Sequence, residues 1–165
     1  MDQSVIQPLS LHPQALDQLA LWHHRECLRQ GLESSLERRR DYLARHLGPE
    51  PLPYTLVALE GTESIGCVSL VRYQSATSPS SPQSRVWLSN LYVAEPHRRR
   101  GLGQKLLESA SSHARQLHLP QLWLFTDRHI DYYQKRGWQP EGKARVGKGK
   151  VQIMFINLLA CINRV

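Results

Sequence analysis

The sequence predicts an α/β layered fold in which helices flank one central, mostly antiparallel mixed sheet. Two observations support this prediction. Segments with helical periodicity and segments with strand-like apolar runs mix throughout the chain, with no linker or internal repeat between them. The chain has 165 residues, of which 41% are hydrophobic, and this is the usual size of one domain with a sizeable core. We therefore expect a single domain over residues 1–165.

The first half of the chain predicts two helices between strands. Proline is favoured in the first turn of a helix, and a Gly-Pro pair ends one. The apolar residues after Pro13 recur at helical spacing, and Gly48-Pro49 closes the second helical segment. The predicted elements are a strand over 5–9, a helix over 13–29, a helix over 32–47, and strands over 54–60 and 64–73 joined by a turn at 61–63.

The second half predicts further strands around one strongly amphipathic helix. Residues 74–85 are polar and rich in Ser and Pro, which indicates a loop. The apolar face of the amphipathic helix comprises Leu102, Leu106, Leu107, Ala110, Ala114 and Leu117. The other predicted elements are strands over 86–93 and 121–126, a helix from Asp127 to Arg136 with Thr126 as its cap and Gly137 as its end, and two strands over 138–146 and 150–158 joined by a turn.

The charge of the chain allows a polyanionic partner without requiring one. The formal net charge is +7 and the isoelectric point is about 9.7. On charge alone, a basic solvated surface is the simpler explanation. Acidic residues flank the cluster Arg38–Arg40, which is typical of an exposed helix face. The aromatic residues lie mostly in apolar strands and do not alternate with cations, so we expect no nucleic-acid partner.

Several other classes of protein are disfavoured by composition. No run of 18 apolar residues occurs, and the amino terminus lacks the basic and apolar regions of a secretory signal, so we expect no membrane partner. The three cysteines are far apart and form no CxxC pair, and the eight histidines show no metal-ligand spacing. We expect packing cysteines, no metal, and a reducing, cytoplasmic location.

A stretch at the end of the predicted strand 86–93 concentrates three arginines and two glycines, and it reads NLYVAEPHRRRGLGQKLLESA. The amino terminus of a helix presents unpaired N–H groups and the positive end of its dipole, both of which favour phosphate. Glycine permits close approach of a ligand, and arginine suits phosphate oxygens. The spacing fits neither the GxGxxG of dinucleotide-binding folds nor the GxxxxGK[ST] of P-loops. The stretch therefore predicts a pyrophosphate site of another kind.

These residues resemble the GNAT N-acetyltransferase superfamily. Its acetyl-CoA motif, Arg/Gln-x-x-Gly-x-Gly/Ala after a strand, is matched position by position from Arg98 to Gly103. The approach LYVAEPHRRRG, with an apolar triplet and a proline before basic residues, also resembles that family. A second segment, TDRHIDYYQKRGW, matches at Tyr132-Tyr133 and at Gly137-Trp138. The order of the other elements suits the family's fold, so the resemblance covers essentially the whole chain.

The resemblance implies a role for each matched residue. It implies acetyl-CoA as co-substrate, with direct transfer of the acetyl group to a primary amine and no acyl-enzyme. Tyr133 matches the general acid that protonates the departing CoA thiolate, and a tyrosine is protonated at neutral pH. Thr126 and Tyr132 are expected to border the cofactor. The backbone at Leu91, Tyr92 and Val93 would pair with the pantetheine arm, and the pyrophosphate would be held by Arg98, Arg99, Arg100, Gly101, Leu102 and Gly103.

The acceptor and its base remain open at this point. Strand 86–93 carries Ser89 and Asn90 but no carboxylate near the expected thioester, and Glu60 and Glu33 are alternative candidates for a base. An α-amine, with a pKa near 8, needs less help to lose its proton than a lysine amine, with a pKa near 10.4. We therefore favour a small-molecule amine or a peptide amino terminus as acceptor.

Three further points stay open in the sequence. By resemblance, Trp22 and His23 lie near the acceptor pocket, and we expect a packed tryptophan and an exposed histidine. A non-catalytic acetyl-CoA-binding or sensor protein is the main alternative function, and a nucleic-acid-binding module is a weaker one. The chain is expected to be a monomer or a homodimer.

Overall fold

The computed structural model describes residues 3–72 and 85–159, and it shows seven strands in one mixed sheet. The spatial order is β1-β2-β3-β4-β5-β7-β6, and all neighbouring strands are antiparallel except β4 and β5, which are parallel. The strands are β1 Ser4–Pro8, β2 Tyr54–Glu60, β3 Glu63–Arg72, β4 Val86–Val93, β5 Gln121–Thr126, β6 Gln139–Val146 and β7 Gly149–Asn157. The α-helices are α1 Leu16–Arg29, α2 Leu36–Ala44, α3 Leu102–Gln116 and α4 Ile130–Gln134. The predicted fold class is confirmed.

Helices cover both faces of the sheet, and each face has its own hydrophobic cluster. Side chains of a strand alternate between faces. In β2, Leu56 and Ala58 pack in the cluster that contains the apolar face of α3, whereas Val57 and Leu59 pack in the cluster that contains α1. The strand β2 is therefore buried on both sides, as its unbroken apolar sequence requires.

Three predicted helices are shorter in the structure. The first begins as the 3₁₀ turn Pro13–Ala15, and local side-chain hydrogen bonds begin the other two later. The second predicted helix does not start at residue 32, since Ser35 caps α2 by accepting a hydrogen bond from the Arg38 N–H at 3.1 Å. At its other end the predicted helix passes into the 3₁₀ turn Arg45–Leu47. Thr126 accepts a hydrogen bond from the His129 N–H at 3.1 Å, so residues 126–129 form a turn and α4 begins only at residue 130.

The expectation that His23 is exposed is wrong. Trp22 packs as expected with 6% exposure, but His23 is only 5% exposed, because both residues lie on the side of α1 that faces the sheet. The His23 Nε2 atom lies 3.8 Å from the Sγ of Cys67, which is itself fully buried. The packing role expected for Cys67 is confirmed, whereas Cys161 and residues 74–84 of the expected loop fall outside the described residues.

Within the described ranges, no helix combines the length and the apolar character that crossing a membrane requires.

Candidate active site

Among the described strands, β4 and β5 are the one pair of parallel neighbours, and the region beyond their shared register pair is called the cleft. β4 and β5 share one register pair, Trp87 with Trp123, near their amino-terminal ends. Each strand is paired along its other edge, β4 with β3 and β5 with β7. The register pairs of β4 with β5 end at Trp87, so Leu91–Val93 have no register partner on β5. Open sheets bind ligands at the carboxyl ends of parallel strands, and Leu91–Val93 lie at this end.

The strand β4 contains a bulge beside the cleft. The register passes from Ser69–Ser89 to Cys67–Tyr92, so two residues of β4, Asn90 and Leu91, lie opposite one residue of β3. Asn90 has a φ of 55°, in the left-handed region, and its carbonyl accepts a hydrogen bond from the Cys67 thiol at 3.4 Å. A bulge turns backbone groups away from the regular ladder. Sequence reasoning missed it, because neither glycine nor proline marks the position.

The loop after β4 ends in an uncapped helix amino terminus. Gly101 is the N-cap residue of α3 with a φ of 76°, and no side chain caps the helix there. The N–H groups of the first turn, including those of Leu102 and Gly103, therefore have no intrahelical acceptor. Arg98 is tethered beside this turn, since its Nε donates to the Val93 carbonyl at 2.8 Å and its guanidinium carbon lies over the Tyr92 ring at 5.5 Å from the ring centre. Arg99 and Arg100 are exposed.

The two motif segments meet in space. A Cβ atom added to Gly103 would lie 3.6 Å from the Tyr132 hydroxyl oxygen and 3.8 Å from a Val93 methyl carbon, so α4 and the end of β4 both touch the first turn of α3. Side chains from all three elements pack in or against one hydrophobic cluster: Leu91, Val93, Leu102, Tyr132 and Tyr133. Thr126, buried at the end of β5, adjoins the same region through the turn that leads into α4.

Tyr133 is a buried and protonated phenol. Its side chain is 8% exposed, and its ring makes edge contacts with Trp138 at 6.0 Å and Tyr132 at 5.2 Å. Burial is the main reason why the pKa of Tyr133 rises to about 12; Tyr132 adds to the rise and Arg136 opposes it. Gly137, with a φ of 91°, ends the helix, and the Trp138 N–H returns to the Tyr133 carbonyl at 3.1 Å. Tyr133 can therefore donate a proton at neutral pH.

Of the two candidate bases, Glu60 lies beside the loop before α3, with a carboxylate oxygen 3.7 Å from His97 Nδ1. Glu33 is exposed in the connection between α1 and α2.

An acid that sequence reasoning missed follows β5 directly. Arg29, at the end of α1, contacts Asp127 at 3.2 Å and Glu26 at 2.6 Å. Burial alone would raise the pKa of Asp127, but the hydrogen bond and charge of Arg29 outweigh it and lower that pKa. The ion pair ties the end of α1 to the end of β5.

Comparison with known proteins agrees with this geometry. Residues 16–138 match the acetyltransferase (GNAT) family. The chain is 30% identical over 118 residues to the amino-acid acetyltransferase of Azotobacter vinelandii, a stretch that covers 72% of this chain and 24% of that protein. The chain thus spans about a quarter of the length of this relative.

Solved structures show the same fold. A GNAT-family acetyltransferase from Streptococcus pneumoniae has a TM-score of 0.68 at 21% identity, over 93% of this chain and 98% of that one. N-acetylglutamate synthase from Neisseria gonorrhoeae, solved with coenzyme A and N-acetyl-glutamate, has a TM-score of 0.68 at 18% identity, over 94% of this chain and 35% of that one. The family match includes most of the sheet, the uncapped turn before α3 and the segment with Tyr133, and on this basis the chain belongs to the acetyltransferase (GNAT) family.

Proposed function

We propose that this protein is an acetyl-CoA-dependent N-acetyltransferase that moves an acetyl group directly to a primary amine. The observation that carries the proposal is the juxtaposition of three features at one cleft. These are the end of β4 at Leu91–Val93, which has no register partner on β5, the uncapped amino terminus of α3, and the buried, protonated Tyr133. Acetyl-CoA needs an extended path for its pantetheine arm, a site for its phosphates and a proton donor for its sulfur. The end of β4, the first turn of α3 and Tyr133 offer these in turn.

The phosphate end of acetyl-CoA would lie on the first turn of α3. The unpaired N–H groups of that turn and the helix dipole favour a dianionic pyrophosphate. Arg98 is held in place by its bond to Val93, so its charge is positioned before the ligand arrives. Arg99 and Arg100 add positive charge in solvent. The backbone at Leu91–Val93 would pair with the pantetheine arm as an added strand does.

In the chemical step, acetyl-CoA supplies the acetyl group as a thioester. The neutral acceptor amine forms a bond to the carbonyl carbon as the C–S bond breaks, and Tyr133 gives its phenolic proton to the departing sulfur. The amine nitrogen gives up one proton to solvent or to a base. A cysteine acyl-enzyme at Cys67 is disfavoured, because burial raises the pKa of that thiol to about 12 and no side-chain surface is exposed.

For the acceptor, we propose a weakly basic primary amine, such as the α-amine of a small molecule or of a peptide amino terminus. The support is that β4 contains no carboxylate. An amine of pKa near 8 is partly neutral at pH 7.5 without a dedicated base. The related Azotobacter vinelandii protein is named for amino-acid acetylation, which agrees with this class.

The test is the thermal unfolding midpoint with and without acetyl-CoA, with NADH and a short oligonucleotide as controls. Acetyl-CoA at 100 times its dissociation constant should stabilise the fold by about 2.7 kcal/mol. Turnover is then measured with a free amino acid, an unblocked peptide and an α-blocked lysine peptide. A rise in the unfolding midpoint with the oligonucleotide alone would exclude the proposal. Binding of acetyl-CoA without turnover would favour a sensor. Equal rates on the unblocked peptide and the α-blocked lysine peptide would exclude the preference for an α-amine.

Replacement of Gly101 by alanine is expected to cost stability and cofactor affinity together. A left-handed φ costs an alanine about 1–2 kcal/mol, and α3 starts at this residue. Gly61→Ala is the matched control, because Gly61 has a similar φ of 61° and equally open space but lies in the β2–β3 turn. Both variants should lose free energy of unfolding by urea titration, and Gly101→Ala alone should weaken acetyl-CoA binding. Equal weakening in both variants would contradict this.

A further inference from the structure

An arginine outside the recognised motif lies where α3 and α4 meet. Arg136 is half-buried, and its guanidinium stacks on the Tyr132 ring at 3.5 Å from the ring centre. Its Nη1 donates to the Tyr132 carbonyl at 2.8 Å, and its Nη2 approaches the Gln104 side-chain oxygen at 3.4 Å. Gln104 is in turn oriented by a bond from its amide nitrogen to Glu108 at 3.0 Å. The cation is therefore held beside the first turn of α3.

The protein does not use all of the hydrogen-bonding capacity of Arg136. A guanidinium has five N–H donors. Among the described contacts, one N–H of Arg136 donates to the Tyr132 carbonyl and another approaches the Gln104 side-chain oxygen at a long distance. The buried Nε has no partner. The ion pairs found among residues 3–72 and 85–159 include no carboxylate for Arg136. Its positive charge is thus positioned but not neutralised by these residues.

Arg136 is held in a similar way to Arg98. The Arg136 guanidinium stacks on Tyr132 at 3.5 Å from the ring centre, whereas that of Arg98 lies over Tyr92 at 5.5 Å. Each guanidinium also donates one hydrogen bond to a backbone carbonyl. Gly103 lies between the two arginines. A Cβ atom added to it would contact both the Tyr132 hydroxyl and Val93, the residue whose carbonyl accepts the hydrogen bond from Arg98. Stacking and tethering reduce the side-chain entropy that a ligand must remove. The first turn of α3 therefore has a preorganised arginine on the β4 side and another on the α4 side.

We propose that Arg136 is a second phosphate-binding arginine, which together with Arg98 clamps the phosphates of acetyl-CoA at the amino terminus of α3. This rests on the proposed use of acetyl-CoA. The ligand chemistry is a phosphate oxygen, from either the pyrophosphate or the 3′-phosphate. Because Arg136 also holds the backbone of Tyr132, a phosphate on its free N–H groups would restrain α4 and with it Tyr133, the next residue. Arg136 thus connects cofactor binding to the position of the proposed acid.

The test compares ligands that lose the phosphates in steps: acetyl-CoA, acetyl-3′-dephospho-CoA and acetyl-pantetheine. Dissociation constants are measured by calorimetry for the wild type, Arg136→Gln, Arg136→Lys and the control Arg115→Gln, which makes the same change at the far, exposed end of α3. Loss of a charged hydrogen bond should weaken acetyl-CoA binding about 10- to 100-fold in Arg136→Gln. Arg136→Lys should lose less, since the charge stays and the fork is lost. Arg115→Gln should match the wild type.

The pattern across ligands separates a phosphate contact from a structural role. Acetyl-pantetheine should bind the wild type and Arg136→Gln equally. A loss that persists with the dephospho ligand assigns the pyrophosphate, and a loss confined to acetyl-CoA assigns the 3′-phosphate. The same loss with all three ligands, or no loss with any, would overturn the clamp. If Arg136→Gln does not fold, the dissociation constants of Arg136→Lys for the same three ligands test the proposal. Failure of the wild type to bind acetyl-CoA would instead remove the proposed function itself.

Discussion

Replacement of Tyr133 by phenylalanine is expected to lower kcat by about 100- to 10,000-fold while acetyl-CoA affinity stays within about threefold of wild type. The change removes only the hydroxyl, so the edge contacts of the ring with Trp138 and Tyr132 remain. Without the proton donor, the departing thiolate must take its proton from water. Steady-state kinetics give kcat, and calorimetry gives the affinity.

Tyr54→Phe is the control for this prediction. Tyr54 is a partly buried phenol in β2, outside the proposed site, and its ring, which stacks on His113 at 3.7 Å, is kept in the variant. Its kcat should stay close to wild type. The pH profile provides a second check, because burial raises the pKa of Tyr133 to about 12 and this group should cause no loss of rate between pH 7 and pH 10. Wild-type activity in Tyr133→Phe would remove this residue as the acid.

Acidification from pH 7.5 to pH 5 is expected to destabilise the fold by about 4 kcal/mol through two buried histidines, about 2 kcal/mol each. Burial is the main cause that lowers the pKa of His23 from 6.5 to about 4, and nearby His46 and Arg39 add to it. Burial likewise lowers the pKa of His46 to about 4, although a hydrogen bond to the Tyr54 carbonyl opposes the shift. Both rings are therefore neutral in the folded protein at pH 5.

The sign follows from the difference between the two states. Each histidine has a lower pKa when folded than when unfolded, so between about pH 6.5 and pH 4 the unfolded chain binds more protons. This contribution to stability is complete above pH 6.5 and is lost as the pH falls towards 4. A hydrogen bond between His46 Nδ1 and Thr55 Oγ1, at 2.7 Å, and another between Thr55 Oγ1 and Ser69 Oγ, at 2.7 Å, hold the ring inside.

Urea unfolding at pH 7.5, 6 and 5 measures the effect. His46→Gln should be less stable at pH 7.5, because it disturbs the buried hydrogen bonds, but should lose less free energy than the wild type on acidification. His118→Asn is the control, since His118 is exposed and its φ of 58° is one that asparagine tolerates. A free energy of unfolding that is flat from pH 7.5 to pH 5, or a change of slope in His118→Asn, would contradict the assignment to buried histidines.

The amino-acid sequence by itself predicted the strands of the sheet and the face of α3 that is buried. It also predicted the turn at Gly101 and the helix end at Gly137, both with positive φ. These features depend on periodicity within one element or on the backbone preference of one residue, and nearby residues encode both. The motif from Arg98 to Gly103 belongs to the same class, because the backbone N–H groups proposed to bind phosphate lie in a single turn.

Only the tertiary structure decided which distant groups meet. His23 is buried because α1 lies with that side on β3, and the bulge at Asn90 arises from pairing with β3 across a register shift. Arg136 reaches Gln104 only because α4 packs beside α3, and Arg29 reaches Asp127 only because the end of α1 lies beside the end of β5. The physical reason is that packing sets the contacts between elements, and a pattern read along one element contains no information on its partner.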